Sequence, residues 1–322
     1  MLTFIVRRLL IACLMVWGVL SMTFFIIHLA PGDPLMLYAR PEIDPSVVEN
    51  IRRQMGFNLP LWQQYFVWLI EFIQGNFGIS LMQHRAVLDI FYETIPNTLR
   101  LTVPVFVIQL VLGIIIGVIT ALKKNGKLDI ITNSVLLFLY SMPGFWVALI
   151  AIMIFSLHLG WLPSSQMSSL HSIEGFWPIV WDRIRHLILP ALVLSIPFIT
   201  YTARFVRSSL IDVLRQPYIQ MAKAYGLKKS DILFKYALKN ALLPVVTLIG
   251  LYIPFLIGGA VITEYIFGWP GMGRITVDAL FAHDFPVILA SNFIATLTVI
   301  LGNLLSDILY LIVDPRIKIK QL

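Results

Sequence analysis

The sequence predicts an all-α integral membrane protein with six transmembrane helices, and three observations carry that reading. First, 58% of the 322 residues are hydrophobic and only 13% are charged, with a mean hydropathy of +0.85; a soluble domain carries about 25% charged and 45–50% apolar residues. Second, six uncharged stretches reach or approach the roughly 20 residues that one helical crossing needs. Third, Lys and Arg concentrate in alternate loops, as an even number of crossings requires. A water-soluble enzyme and a disordered binding protein are excluded on composition. Cys13 is the only cysteine, so neither an internal disulfide nor a cysteine cage for a metal can form. The formal charge of +7 then reports cytoplasmic loops rather than a nucleic-acid surface.

Taken in order, residues 1–8 form a cytoplasmic N-terminus and 9–30 the first helix. Arg7-Arg8 before an apolar run resembles a signal peptide, but a run of about 21 residues exceeds the usual 7–15 and no A-x-A site follows. Residues 31–100 form an outer segment that begins with a tight turn at Pro31-Gly32-Asp33-Pro34. Its stretch 59–74 (LPLWQQYFVWLIEFIQ) is apolar but interrupted by Gln63, Gln64, Glu71 and Gln74. This is an interfacial amphipathic helix, since a seventh span there would invert every later loop. The rest of the segment either shields the outer helix ends or docks an external partner.

The second helix takes 101–122 and the third 130–159, ending before Trp161-Leu162-Pro163. An outer loop, 160–186, leads to the fourth at 187–206, where Pro190 and Pro197 predict a kink. Residues 207–240 form a cytoplasmic loop, 241–263 the fifth helix, 264–285 an outer loop, 286–312 the sixth helix and 313–322 a cytoplasmic tail. With the N-terminus inside, 16 of the 24 basic residues fall on the cytoplasmic side and 12 of the 17 acids on the other. Both termini are therefore expected in the cytoplasm.

The loop 207–240 is the most informative. Pro217 starts a short helical pattern in which Tyr218, Met221, Ala222 and Tyr225 fall at helical spacing. Gly226 ends it, as a left-handed C-terminal stop. A second helical stretch from about Ser230 runs into Ala241 and Pro244. Such a helix suits insertion into a groove on another protein, with Ala222, Ala224 and Gly226 permitting close approach and Tyr218 and Leu227 as apolar anchors. An amphipathic hairpin held at an anionic leaflet by its lysines would show the same periodicity.

Residues 218–244 resemble the cytoplasmic loop of ATP-binding-cassette importer permeases in the order of Ala-containing helix, Gly and later Pro. The likeness extends along the chain. Ala30-Pro31-Gly32-Asp33-Pro34, Ile95-Pro96-Asn97-Thr98-Leu99, Ser141-Met142-Pro143 with Phe145-Trp146, Phe267-Gly268-Trp269-Pro270-Gly271-Met272-Gly273 and Asp314-Pro315-Arg316 are similar to the dipeptide, oligopeptide and nickel permease subfamily. Where the general importer loop opens with Glu-Ala-Ala, this chain has Gln220-Met221-Ala222, so no role of that Glu carries over. The resemblance implies the type I importer fold, with its transmembrane domain at about 95–312, in a prokaryotic cell membrane. It also implies four kinds of partner: a second homologous permease, two cytoplasmic ATPases, an extracellular or periplasmic binding protein, and membrane lipid. Tyr218, Met221, Ala222, Ala224, Tyr225, Gly226 and Leu227 would form the ATPase-coupling loop. The implied cargo is di- or oligopeptides, with nickel or metal chelates as the alternative. No G-x-x-x-x-G-K-[ST] loop occurs, so ATP and Mg would be used by the partner ATPases and no cofactor is expected on this chain.

Polar groups within the spans need a partner or a water path. Glu264, at the outer end of the fifth span, and Asp307, near the inner end of the sixth, are candidates to line a pathway or hold a gate. Asn303 lies one helical turn before Asp307, and Ser141 and Pro143 mark a bend in the third span. Bends at Pro143 and Pro254 would let the two mouths open in alternation, and Gly258-Gly259 suits close helix packing. The six histidines show no H-E-x-x-H spacing and no i, i+4 pair, which argues against a metal site and an intramembrane metalloprotease. No histidine falls at the depth of Ser141, which argues against a serine protease. A stand-alone secondary transporter is the remaining alternative, and the two halves of the chain show no convincing internal similarity.

Overall fold

The computed structural model describes residues 2–29, 58–169 and 174–313. The Pro31–Pro34 turn and the tail from Asp314 lie outside the described residues. The described chain is helical: α1 (Leu2–Leu29), α2 (Leu61–Ile73), α3 (Val87–Leu122), α4 (Lys127–Ser141), α5 (Gly144–Ala151, widening to a π-helix over Ile152–His158), α6 (Phe176–Leu214), α7 (Pro217–Ala224), α8 (Lys229–Asp231, π-helical over Ile232–Ala237, then Leu238–Ala241), α9 (Leu243–Gly258), α10 (Val261–Ile266), α11 (Met272–Phe281) and α12 (Phe285–Val313). Five segments are long and apolar enough to cross a membrane, and the bent pair α4–α5 makes a sixth.

Two helix pairs form the frame, α3 on α6 and α9 on α12. Small residues set both. A Cβ on Gly113 would lie 2.6 Å from Thr202 Cβ, and one on Gly117 would lie 2.7 Å from both Ala203 O and Val206 Cβ. This is the small-xxx-small solution to helix packing without a hydrophobic drive. In the second pair a Cβ on Gly302 would meet Pro254 Cδ at 2.5 Å, and Gly250 abuts Ser306. Gly258 has open space around it, so close packing falls at Gly250 and Gly302 rather than at the expected Gly258-Gly259 pair. Gly259 instead ends α9, at φ +81°.

The helices run past the expected boundaries. α3 begins at Val87, not 101, and passes through Pro96 and Pro104. α6 is an unbroken 39-residue helix through Pro190 and Pro197, from Phe176 to Leu214 rather than 187–206. It therefore takes in the end of the supposed outer loop 160–186 and the start of the supposed loop 207–240. The third span is not one helix over 130–159. Met142 (ψ 141°) and Pro143 (ψ 128°) are both extended, and the legs on either side meet at 101°. Pro143 removes a donor and pushes the preceding residue out of the helical region. Each 15-residue leg is then about 22 Å long, shorter than the hydrocarbon core.

α2, the segment expected as an interfacial helix, packs against other helices of the chain. It lies along α1: Tyr65 Oη accepts from Trp17 Nε1 at 2.9 Å and pairs with Ser21 Oγ at 2.7 Å, while Phe72 stands edge-on to Phe293 of α12 at 5.0 Å. Its outer face is Trp62, Phe66, Val67, Ile70 and Ile73, all exposed. The predicted outer loop 264–285 is likewise built, with α11 burying Met272 and Ala279 against Val87, Ile90 and Phe91 of α3.

Candidate functional site: a docking hairpin and two polar locks

On the side where α3 and α6 end, α7 and α8 form a hairpin. Pro217 sits at the first turn of α7, where its missing N–H costs nothing. Gly226 (φ +73°) closes the helix: Leu227 N–H donates to Ala222 O at 3.2 Å and Gly226 N–H to Lys223 O at 3.0 Å, a Schellman-type end. Ile219 and Ala222 face inward, packed with Leu210, Ile232, Ala237 and Ala241. Ala222 therefore belongs to the hairpin's own core and is not a close-approach site for another protein. Tyr218, Met221, Tyr225 and Leu227 face out, as do Ala224 and Gly226. Tyr218 Oη accepts from Asn240 Nδ2 at 3.0 Å, which ties α7 to α8. One face of α7 is fastened to the bundle and the other presents aromatic and sulfur-bearing side chains.

Asp129 and Arg207 hold the base of this region, a pair the sequence did not single out. Arg207 Nε and Nη2 each donate to Asp129 at 2.7 Å. Asp129 also accepts from Asn125 N–H at 2.9 Å and Asn133 Nδ2 at 2.7 Å. The bidentate geometry and four donors suit a buried carboxylate, and they lock the start of α4 to α6.

Glu264 forms the second lock at the opposite end of the bundle. Its exposure is 0%. One oxygen accepts from the N–H groups of Gly273 (2.7 Å) and Arg274 (3.2 Å), and the other from Thr98 Oγ1 (3.0 Å) and Ala260 N–H (3.3 Å). Thr98 Oγ1 in turn accepts from Met272 N–H at 2.7 Å. Carboxylate and hydroxyl together satisfy the orphan donors that begin α11. Glu264, a candidate for a pathway or gate, is buried and caps a helix. Two motifs quoted separately above meet here. Trp269 Nε1 donates to Asn97 O at 2.7 Å, Asn97 Nδ2 donates to Pro270 O at 3.0 Å, and Arg274 Nη1 donates to Gly268 O at 2.7 Å. A Cβ on Gly273 would lie 2.6 Å from Val261 Cα, so the glycines let α11 seat on the carboxylate.

The other candidates are not brought together. Ser141 Oγ donates to Leu137 O within its own helix at 2.8 Å, and Pro143 begins α5. Asn303 borders an apolar groove between α1, α2 and α12. Asp307 lies on α12, its side chain outside the described residues.

These features define a helical protein of membrane-length spans with a two-faced helical hairpin on one side. The chain belongs to the family of binding-protein-dependent transport system inner membrane components, whose model matches residues 113–319; the companion N-terminal model matches residues 1–102. It is 40% identical over 319 residues to an oligopeptide transport system permease protein of Bacillus subtilis, covering 99% of this chain and 100% of that one. It is 39% identical over 333 residues to a di/tripeptide transport system permease protein of Pseudomonas aeruginosa, with 99% of each covered. It is also 36% identical over 320 residues to a glutathione transport system permease protein of Escherichia coli, covering 99% and 100%. The chain is thus the permease component of an ATP-binding-cassette transporter with the type I architecture, as its sequence motifs implied.

Proposed function

We propose that this permease imports short peptides and, with a second homologous permease, encloses the path through a prokaryotic cell membrane. Two ATPase subunits on the cytoplasmic side supply the energy, and an external binding protein delivers the cargo. ATP and Mg are bound by the ATPases and not by this chain. The observation that carries the reading is the two-faced helix α7. Ile219 and Ala222 fasten it to the bundle, while Tyr218, Met221, Tyr225 and Leu227 stand exposed on its other side. A rigidly mounted helix with outward aromatic anchors is suited to a groove on a partner, and the mounting passes any movement of that partner to α6. The basic residues of the same loop and of the chain ends favour placing this side and both termini in the cytoplasm.

The peptide cargo is supported by the relatives, whose names cover oligopeptides, di/tripeptides and glutathione. The test is reconstitution of the complete transporter in proteoliposomes with measurement of ATPase stimulation by di- and tripeptides and by nickel chelates. Stimulation by peptides is the expected result. Stimulation by nickel chelates alone, or purification of the chain without ATPase subunits, would refute the proposal.

A further inference from the structure

We propose that the groove between α1, α2 and α12 is a binding site for one anionic phospholipid of the cytoplasmic leaflet, with an acyl chain along the groove and the phosphate at Arg8. The leaflet is assigned from the placement of the N-terminus in the cytoplasm, the one part of the importer reading on which this inference rests. The groove encloses about 680 Å³, and its lining sorts by depth. Arg8 and Asn303 stand towards one end, Ile11, Val16, Leu297 and Leu301 are among the apolar side chains along it, and Phe72 and Ile73 of α2 close the other end.

α1 and α12 run antiparallel, which fixes the residues that are level with one another. The rings of His28 and Phe285 have centroids 5.7 Å apart, and Phe24 packs with Leu289. Continued at four residues per step, Leu20 is level with Phe293, Val16 with Leu297, and Arg8 with the turn that holds Asn303 and Leu304. From Arg8 to Leu20 the groove is about 18 Å long at 1.5 Å per residue, close to half of a hydrocarbon core of about 30 Å. Leu20 also stands midway along the apolar stretch Leu10–Leu29. An occupant thus enters at one face of the membrane and ends near its midplane, which is the outline of a lipid in a single leaflet.

Shape and charge select this occupant. Spread over about 18 Å, the volume gives a mean cross-section of about 38 Å². A helix with its side chains, about 10–12 Å across, covers roughly 80–110 Å², so the groove is too narrow to seat one and suits extended hydrocarbon chains. Arg8 is the one charged side chain lining it among the described residues. A guanidinium at the cytoplasmic end of an apolar groove is suited to a phosphate, and basic pockets between membrane helices on that side take anionic headgroups. α1 is also short of protein contacts: its span is 11% buried, against 33–56% for the other four unbroken spans. A lipid seated here completes the contact between α1 and α12.

The experiment is native mass spectrometry of the complete complex, purified in detergent and supplied with equal amounts of dioleoyl phosphatidylglycerol and dioleoyl phosphatidylethanolamine. Cys13 lines the groove and is exposed, so Cys13→Trp fills it. Leu14, one residue on, is exposed outside the groove, so Leu14→Trp is the control. The parent and Leu14→Trp are expected to retain one more phospholipid than Cys13→Trp. Arg8→Gln is expected to lower the phosphatidylglycerol-to-phosphatidylethanolamine ratio of that lipid about fivefold, the equivalent of about 1 kcal/mol per basic residue beside an anionic leaflet, and Arg8→Lys to hold it. Equal retention in Cys13→Trp and the parent, or an unchanged ratio in Arg8→Gln, would overturn the site. A Cys13→Trp complex that loses the second permease would overturn it too, in favour of an interface between subunits. Should Cys13→Trp fail to accumulate, the ratio in Arg8→Gln decides alone. Peptide uptake in proteoliposomes is read separately: uptake without the retained lipid removes the site and leaves the importer reading standing, whereas retention without uptake in the parent complex does the reverse.

Discussion

Removing the carboxylate of Glu264 should release the start of α11, and the size of the effect follows from the donors it leaves behind. Glu264→Ala orphans the N–H groups of Gly273, Arg274 and Ala260 and the hydroxyl of Thr98, which sit 2.7, 3.2, 3.3 and 3.0 Å from its oxygens. A buried donor without a partner costs about 1–3 kcal/mol, and removing a buried charge returns part of its desolvation cost. A net loss of about 3 kcal/mol follows for this end of the molecule. At about 1.4 kcal/mol per tenfold, hydrogen exchange at Gly273 and Arg274 should then quicken by more than a hundredfold. The assay is exchange mass spectrometry of the purified complex in detergent, with peptides covering α11 compared against those covering α7. Glu264→Gln keeps the volume and one acceptor, so it should lose about half as much. Parent-like protection of α11 in both variants would refute the capping role.

Asp129→Ala leaves Arg207 without its partner, and a broken buried pair costs about 3–5 kcal/mol; thermal unfolding of the purified complex should show the loss. Gly117→Leu should prevent α3 from seating on Val206, visible as loss of monodisperse protein on gel filtration, whereas Gly258→Ala, with open space around it, should be neutral or gain up to about 1 kcal/mol. At Gly226→Glu the new Cβ meets no atom within 4 Å, but the substitution forces a side chain onto a φ of +73° at the exposed edge of α7. It should insert normally yet lose ATPase co-purification. Gly226→Asn, which tolerates that φ, should retain more of it.

Much of the frame was legible because bilayer thickness and charge leave plain marks. The six apolar stretches and the Pro217–Gly226 helix were read from spacing alone. Helix ends were harder, because loss of apolar character is not loss of helix: α6 continues to Leu214 on the strength of Val206 and Leu210, which pack inward among outward polar residues. The locks were hidden for a different reason. Thr98 and Glu264 are 166 residues apart, and Asp129 and Arg207 78 apart, so no local pattern pairs them. Glu264 stood out as a carboxylate at the end of an apolar stretch, but one sequence cannot tell a carboxylate facing water from one facing four N–H and O–H donors. Gly113-xxx-Gly117 was in plain view and readable as a packing motif. Ala222 was misplaced because helical spacing groups residues on a face without saying which face turns inward.

The Thr98–Glu264 lock also sets a schedule for the chain's making. Thr98 leaves the ribosome long before Met272, whose N–H it binds 174 positions later; at about 5–20 residues per second that interval is roughly 9–35 s. Throughout it α3 stands in the nascent membrane protein with Asn97 and Thr98 lacking their distant mates. The N-terminal half is therefore exposed to quality-control proteases until nearly the last span has been threaded, and truncated products should be cleared rather than accumulate.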